Sequence, residues 1–86
     1  MTQLDNKKST GLISLADLKL GEHAVIRSID DETLAIHFME MGCVPGEKIT
    51  LQNKAPLGDP IAIKIAGYKL SLRKEDAVHI LITKEE

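Results

Sequence analysis

The sequence predicts a small, mainly β domain in which about five short strands curl into a barrel, with one helix at about residues 31–41 and short helical turns. Three observations predict this fold class. Apolar and polar residues alternate through most of the second half of the chain, which is the period of a half-buried strand. A single stretch in the first half has helical periodicity instead. Gly and Pro separate these stretches, and 86 residues suffice for one modest core.

The first expected element is a short helical turn in the sequence ISLADLKLG. Ser14 and Asp17 are three residues apart and predict a capping box at its start. Ile13, just before the cap, is expected to contact Leu18 as a hydrophobic staple. Gly21 is expected to end the turn, because glycine favours the position after a helix.

A strand and then the main helix follow. Residues 22–30 (EHAVIRSID) are rich in β-branched side chains and partly alternate, which predicts a strand. Asp30 or Asp31 can cap the helix, and Gly42 is expected to end it. The helix carries an apolar stripe with a flanking line: Leu34, Phe38 and Met41, with Ala35 and Met39 beside them.

The remaining elements are strands joined by turns. Pro45 and Gly46 fit the two corners of a type II turn before a strand at 47–54. The loop Ala55–Pro60 (APLGDP) leads to two alternating runs that only Ala66 and Gly67 separate, which predicts a tight hairpin. The apolar members of these runs are Ile61, Ile63 and Ile65, then Tyr68, Leu70 and Leu72.

The end of the chain completes the predicted barrel. RKEDA at 73–77 suits one helical turn, and the last strand should place Val78, Ile80 and Ile82 on one face. Five flat strands would expose an apolar face, so we expect them to curl, with the main helix over one opening. A single helical turn just before the last strand is typical of SH3-like barrels.

The ends and the composition suggest a cytoplasmic protein. Residues 1–11 are polar and aperiodic and are expected to form a flexible tail, with the domain at 12–86. Cys43 is the only cysteine, so no internal disulfide can form, which favours a reducing compartment. The N-terminus lacks the apolar core of a signal peptide, and no apolar run approaches the roughly 20 residues of a membrane span.

Composition argues against several functional classes. A net charge of −2, from 11 basic and 13 acidic residues, gives no surplus for binding nucleic acid. Phe38 and Tyr68 are the only aromatic residues, too few for a groove that reads proline-rich peptides. Ser71 and His79 lie on regular predicted strands without a third catalytic group, so we expect no enzyme.

A metal site has only weak candidates. His37 and Glu40 are three residues apart and share one helix face, and Cys43 follows the helix. No Cys-x-x-Cys or closely spaced His pair accompanies them. An incidental surface pair and a buried thiol are the simpler interpretation, so no metal site or cofactor is expected.

Protein contact is the remaining interpretation, and a few residues are candidates for it. Leu57 lies between Pro56 and Gly58 at the tip of the loop, where the fold has no evident need for an apolar side chain. Met39 on the helix and Pro45 at the turn are further candidates. A rigid connector without a partner is the alternative interpretation of the loop.

Three stretches of the chain resemble the FeoA family. They are LADLKLGE at 15–22, MGCVPGEKI at 41–49 and APLGDPIAIKIAGYKLSLRKEDA at 55–77, in that order. The resemblance runs over roughly residues 12–83 and implies an SH3-like barrel without enzymatic activity. It also implies a partner, FeoB, a membrane Fe²⁺ transporter with a cytoplasmic GTP-binding domain.

The resemblance implies an accessory protein of bacterial ferrous iron uptake that regulates FeoB by contact at the inner face of the membrane. Fe²⁺ would then be the transported ion rather than a cofactor. A small protein that binds Fe²⁺ directly is one alternative. A stand-alone relative of the SH3-like C-terminal domain of iron-dependent repressors is another, and the sequence leaves self-association open.

Overall fold

Six antiparallel strands in one sheet make up most of the fold. The structure, a computed structural model, describes residues 11–85. The strands are β1 (Leu12–Ser14), β2 (His23–Ile29), β3 (Lys48–Lys54), β4 (Ile61–Ile65), β5 (Tyr68–Leu72) and β6 (Ile80–Glu85). The helices are α1 (Glu32–Glu40) and α2 (Lys74–Ala77), and a 3-10 turn spans Leu15–Asp17. The strand order is β1-β6-β2-β3-β4-β5, so the sheet is open, with β1 and β5 at its edges.

The core lies on one side of this sheet, where each strand contributes alternate residues. Ile49 pairs with Ile65, and Ile26 pairs with Ile82, so inward rows run across neighbouring strands. Phe38 of α1 is 1% exposed and joins these rows, so the helix covers one side of the core. The predicted row of Ile61, Ile63 and Ile65 is therefore buried as expected, whereas Tyr68, predicted on the row of β5, is 41% exposed.

The predicted helix and turns are confirmed with small changes of boundary. Asp31 is the N-cap of α1, where its Oδ1 accepts a hydrogen bond from the Leu34 N–H at 3.0 Å. The Glu47 N–H donates to the Val44 carbonyl at 3.2 Å, which closes the predicted turn at Pro45 and Gly46. The two-residue β4–β5 hairpin is also present.

The start of the domain differs from the prediction. Residues 12–14 form a sixth strand, in which Ile13 lies opposite Ile82 of β6, because β6 offers an unpaired edge there. Ser14 does cap a turn, but its Oγ accepts from the Ala16 N–H at 3.1 Å, not from Asp17. The predicted end at Gly21 is wrong, since the turn stops at Asp17 and the Gly21 N–H donates to the Leu51 carbonyl.

The last strand also begins later than predicted. The Val78 N–H donates to the Lys74 carbonyl at 3.1 Å, so Val78 is the C-cap of α2 and 43% exposed. Its place on the inward row was therefore wrong, whereas Ile80 and Ile82 are fully buried. The predicted tail at 1–11 lies outside the described residues except for Gly11. Across residues 11–85, no helix is long and apolar enough to cross a membrane.

Candidate functional site

The loop Ala55–Pro60 has a defined shape. The Ala55 N–H donates to the Pro60 carbonyl at 3.0 Å, and the Gly58 N–H donates to the Ala55 carbonyl at 2.7 Å. Asp59 Oδ1 accepts from the Lys74 N–H at 2.9 Å, which fastens the loop to the start of α2. These bonds leave Leu57 at the tip with 96% of its surface exposed. The loop therefore presents an apolar side chain on a fixed base.

A second apolar feature is a groove between α1, the end of β2 and the segment after the helix. Its volume is about 370 Å³. The residues lining it are Arg27, Ser28, Ile29, Ala35, Met39, Cys43, Val44 and Pro45. Met39 is 58% exposed at its rim, and Cys43 is buried at its base. The groove thus brings together Met39 and Pro45, two of the contact residues proposed from the sequence.

The C-terminus of α1 is built to hold one wall of this groove. The Gly42 N–H donates to the Met39 carbonyl at 3.0 Å, and the Cys43 N–H donates to the Phe38 carbonyl at 2.9 Å. This pair of bonds is a Schellman motif, which requires the left-handed φ of +82° that Gly42 adopts. The Tyr68 hydroxyl donates to the Met41 carbonyl and ties the end of the helix to β5.

Sequence reasoning missed the other walls of the groove. Arg27, Ser28 and Ile29 face it because the pairing of β2 with β6 shifts by one residue between Ile26 and Ser28. Such a bulge depends on the partner strand, and no turn residue marks it in the sequence. The alternation of apolar and polar residues in β2 was only partial, and that was the one available signal.

The loop and the groove are separate candidate surfaces. The loop follows Lys54, the last residue of β3. The groove instead includes Pro45, which lies three residues before Lys48, the first residue of β3. A strand of seven residues spans roughly 20 Å at about 3.3 Å per residue. A single small partner segment therefore contacts one surface or the other.

The weak metal candidates are not arranged as a ligand set. His37 and Glu40 are exposed on α1, whereas Cys43 is fully buried. Burial, and secondarily the charge of Glu47, raises the pKa of the Cys43 thiol to about 11, which disfavours the thiolate that would bind a metal. Within the part of the chain that the structure describes, no three His, Cys, Asp or Glu side chains are placed to hold a metal ion.

Comparison with known proteins identifies the family. Residues 13–84 match the FeoA domain. The chain belongs to the FeoA family. It is 40% identical over 67 residues to a protein of Porphyromonas gingivalis named as a fusion of Fe(2+) transport protein A and the Fe(2+) transporter FeoB. The match covers 77% of this chain and only 8% of that relative.

Solved structures confirm the SH3-like fold. A FeoA-like protein from Clostridium acetobutylicum has a TM-score of 0.83 and 37% identity, covering 90% of this chain and 91% of that chain. The FeoA of Stenotrophomonas maltophilia, described as an SH3 domain protein and complexed with zinc, has a TM-score of 0.74 and 26% identity, with 86% and 96% covered. Manganese-dependent repressors at 14% and 15% identity share the fold alone.

Proposed function

We propose that this chain is a non-catalytic accessory protein of ferrous iron uptake, which regulates a FeoB-like membrane transporter by direct contact. The observation that carries the proposal is the fusion relative, in which a segment 40% identical to this chain belongs to one protein with FeoB. Domains joined in one chain work at the same place. The fusion therefore supports contact between a FeoA domain and the transporter.

Regulation by contact requires an interface on this domain. Stable contact between proteins comes from buried surface area with a well-packed apolar centre. This requirement favours an apolar surface that the fold itself does not use.

The groove provides such a surface. Its lining is mainly apolar, and the exposed Met39 at its rim has a flexible side chain that can adapt to a partner. A groove of this kind beside a helix accommodates an apolar side chain or the apolar face of a short helix. We infer that the transporter inserts such a segment between α1 and Pro45, which would recruit the chain to the inner face of the membrane.

The experiment is co-purification of the chain with a tagged FeoB-like transporter from the same source, together with Fe²⁺ uptake by that transporter in vesicles. We expect wild type to be recovered and to change the uptake rate. Met39→Glu should lower recovery and reduce the change in rate, because it places a charge at the apolar rim. Ile36→Glu is the matched control, since Ile36 is 59% exposed on the same helix but does not line the groove.

The loop is tested in parallel. Leu57→Ser removes the exposed apolar tip while leaving the hydrogen bonds of Ala55, Gly58 and Asp59 in place. If Leu57→Ser lowers recovery and Met39→Glu does not, the partner binds the loop and not the groove. If wild type is neither recovered nor active on uptake, the proposed contact function is wrong.

Direct Fe²⁺ binding is the second candidate function, because a relative 26% identical was solved with zinc. His37 and Glu40 are the accessible groups that such a site could use. Anaerobic titration with Fe²⁺ distinguishes the two functions. Binding in the micromolar range that His37→Ala or Glu40→Ala abolishes would favour coordination, whereas co-purification that survives both substitutions would favour contact.

A further inference from the structure

The face of the sheet turned away from the core carries several lysines, although the whole chain is acidic. The strand register places Val25 opposite Lys48, Thr50 opposite Lys64, and Lys64 opposite Lys69. These residues therefore share one face, and all three lysines are exposed. We call Lys48, Lys64 and Lys69 the basic face.

The distribution of charge makes this face stand out. The whole chain has a net charge of −2, yet Glu85 is the only acidic residue in the six strands. Between residues 11 and 85, the Lys84 ammonium pairs with Glu22 and the His79 ring hydrogen-bonds to Asp30, and neither contact involves the basic face.

The arrangement of these lysines is unfavourable in the isolated domain. Lys64 and Lys69 are directly opposed on neighbouring strands, where like charges repel. Lys48 is diagonal to Lys64, at about 7–8 Å for such a pair. A carboxylate placed among the three ammonium groups would relieve this repulsion.

A recess beside the lysines can admit such a group. A cleft of about 340 Å³ lies between the β4–β5 hairpin and strands β2 and β3, and Lys48 and Lys64 line it. His23 and Thr50 also line it, with Nδ1 and Oγ1 in hydrogen-bond contact at 2.7 Å. Glu85 lies opposite His23 and is the one acidic residue of the lining. The cleft thus combines two cations and one carboxylate with polar groups that can hydrogen-bond an incoming carboxylate, and the cations outnumber the carboxylate.

From this geometry we propose that the basic face binds an acidic protein segment, with a Glu or Asp side chain in the cleft beside Lys48 and Lys64. A flat anionic membrane would contact protruding ammonium groups and would have no use for a recess. The surface is distinct from the groove at α1, and the proposal does not depend on the proposed function.

The test uses a fluorescent peptide of alternating Glu and Gly as probe, with anisotropy measured at low salt. The same peptide with Gln in place of Glu is the probe control and should not bind. The triple variant Lys48→Gln, Lys64→Gln, Lys69→Gln should bind the acidic peptide about tenfold more weakly, since each exposed pair contributes a few tenths to 1 kcal/mol. Circular dichroism verifies that the variant is folded.

A second triple variant separates this face from net charge. Lys19→Gln, Lys54→Gln, Lys74→Gln removes the same charge from exposed positions that do not line the cleft, and should weaken binding less than twofold. Glu85→Gln removes the only carboxylate of the strands and should strengthen binding. Raising the salt concentration should weaken binding of the wild type.

Three results would overturn the proposal. The first is equal weakening by both triple variants, which would mean that only net charge matters. The second is no detectable binding of the acidic peptide at low salt. The third is binding to vesicles containing phosphatidylserine that depends on Lys48, Lys64 and Lys69 without binding of the peptide, which would make the face a membrane contact.

Discussion

Substituting Gly42 by alanine should destabilise the domain more than the same change at another left-handed glycine. Gly42 has a φ of +82°, where an L-residue costs about 1–2 kcal/mol, partly offset because alanine restricts the unfolded chain. A Cβ atom there would also lie 3.0 Å from the Tyr68 hydroxyl oxygen, which donates to the Met41 carbonyl. Displacing that hydroxyl weakens a hydrogen bond worth about 1 kcal/mol, so the total is about 2 kcal/mol.

Gly21→Ala is the matched control for the backbone contribution. Gly21 has a φ of +83°, and a Cβ atom there meets nothing within 4 Å. Its cost should therefore be about 1 kcal/mol, from the left-handed conformation alone. The difference between the two variants isolates the contact with Tyr68.

Thermal unfolding followed by circular dichroism measures both variants and a double-mutant cycle with Tyr68→Phe. For a domain of this size, about 1 kcal/mol corresponds to roughly 4–8 °C in Tm, so Gly42→Ala should lower Tm by about 10 °C. The additional cost of Gly42→Ala should largely disappear when Phe replaces Tyr68. Equal losses for Gly42→Ala and Gly21→Ala, or no coupling with Tyr68, would refute this account of how the end of α1 is held.

Three further predictions concern single groups. Burial raises the pKa of the Cys43 thiol to about 11 from an ordinary 9.0, which lowers the fraction of reactive thiolate. Iodoacetamide at pH 8 should therefore modify the folded chain at least about a hundredfold more slowly than the unfolded chain, and equal rates would contradict the burial of Cys43. A hydrogen bond from the Lys19 N–H and the nearby Lys84 ammonium lower the pKa of Glu22 below its ordinary 4.5. The stability lost in Glu22→Gln should therefore be constant above pH 6 and vanish as acid protonates the carboxylate of the wild type. Denaturant midpoints measured against pH test this dependence, and a loss of stability that does not change with pH would contradict it. Asp31→Ala should cost about 1 kcal/mol in urea unfolding by removing the N-cap of α1, and an unchanged midpoint would exclude that cap.

Local signals made α1 and the turns predictable. The cap at Asp31, the stripe through Phe38 and the glycine at 42 all depend on residues close together in the chain, so the sequence alone contains them. Val78 shows the limit of such patterns. Its spacing from Ile80 and Ile82 fits a strand, but it also fits the last residue of a helical turn, and the turn of α2 prevails.

Features that depend on distant strands were not predictable in this way. β1 has three residues, too few for a periodic signal, and exists because β6 offers an edge to pair with. The groove forms where the bulge in β2 lies beside the Schellman motif after α1. The sequence therefore predicts Met39 and Pro45 as separate contact residues and does not show that they are neighbours. The basic face required the register that aligns Lys64 with Lys69.

The central claim is that this chain binds a FeoB-like transporter through the groove at α1. The most direct measurement is the Kd of the purified chain for the detergent-solubilised transporter, determined for wild type, Met39→Glu and Ile36→Glu. Burying a methionine side chain contributes about 1.5–3 kcal/mol, so Met39→Glu should raise Kd by at least about tenfold, with Ile36→Glu close to wild type. Identical Kd values for all three proteins, or no binding by the wild type, would contradict the account.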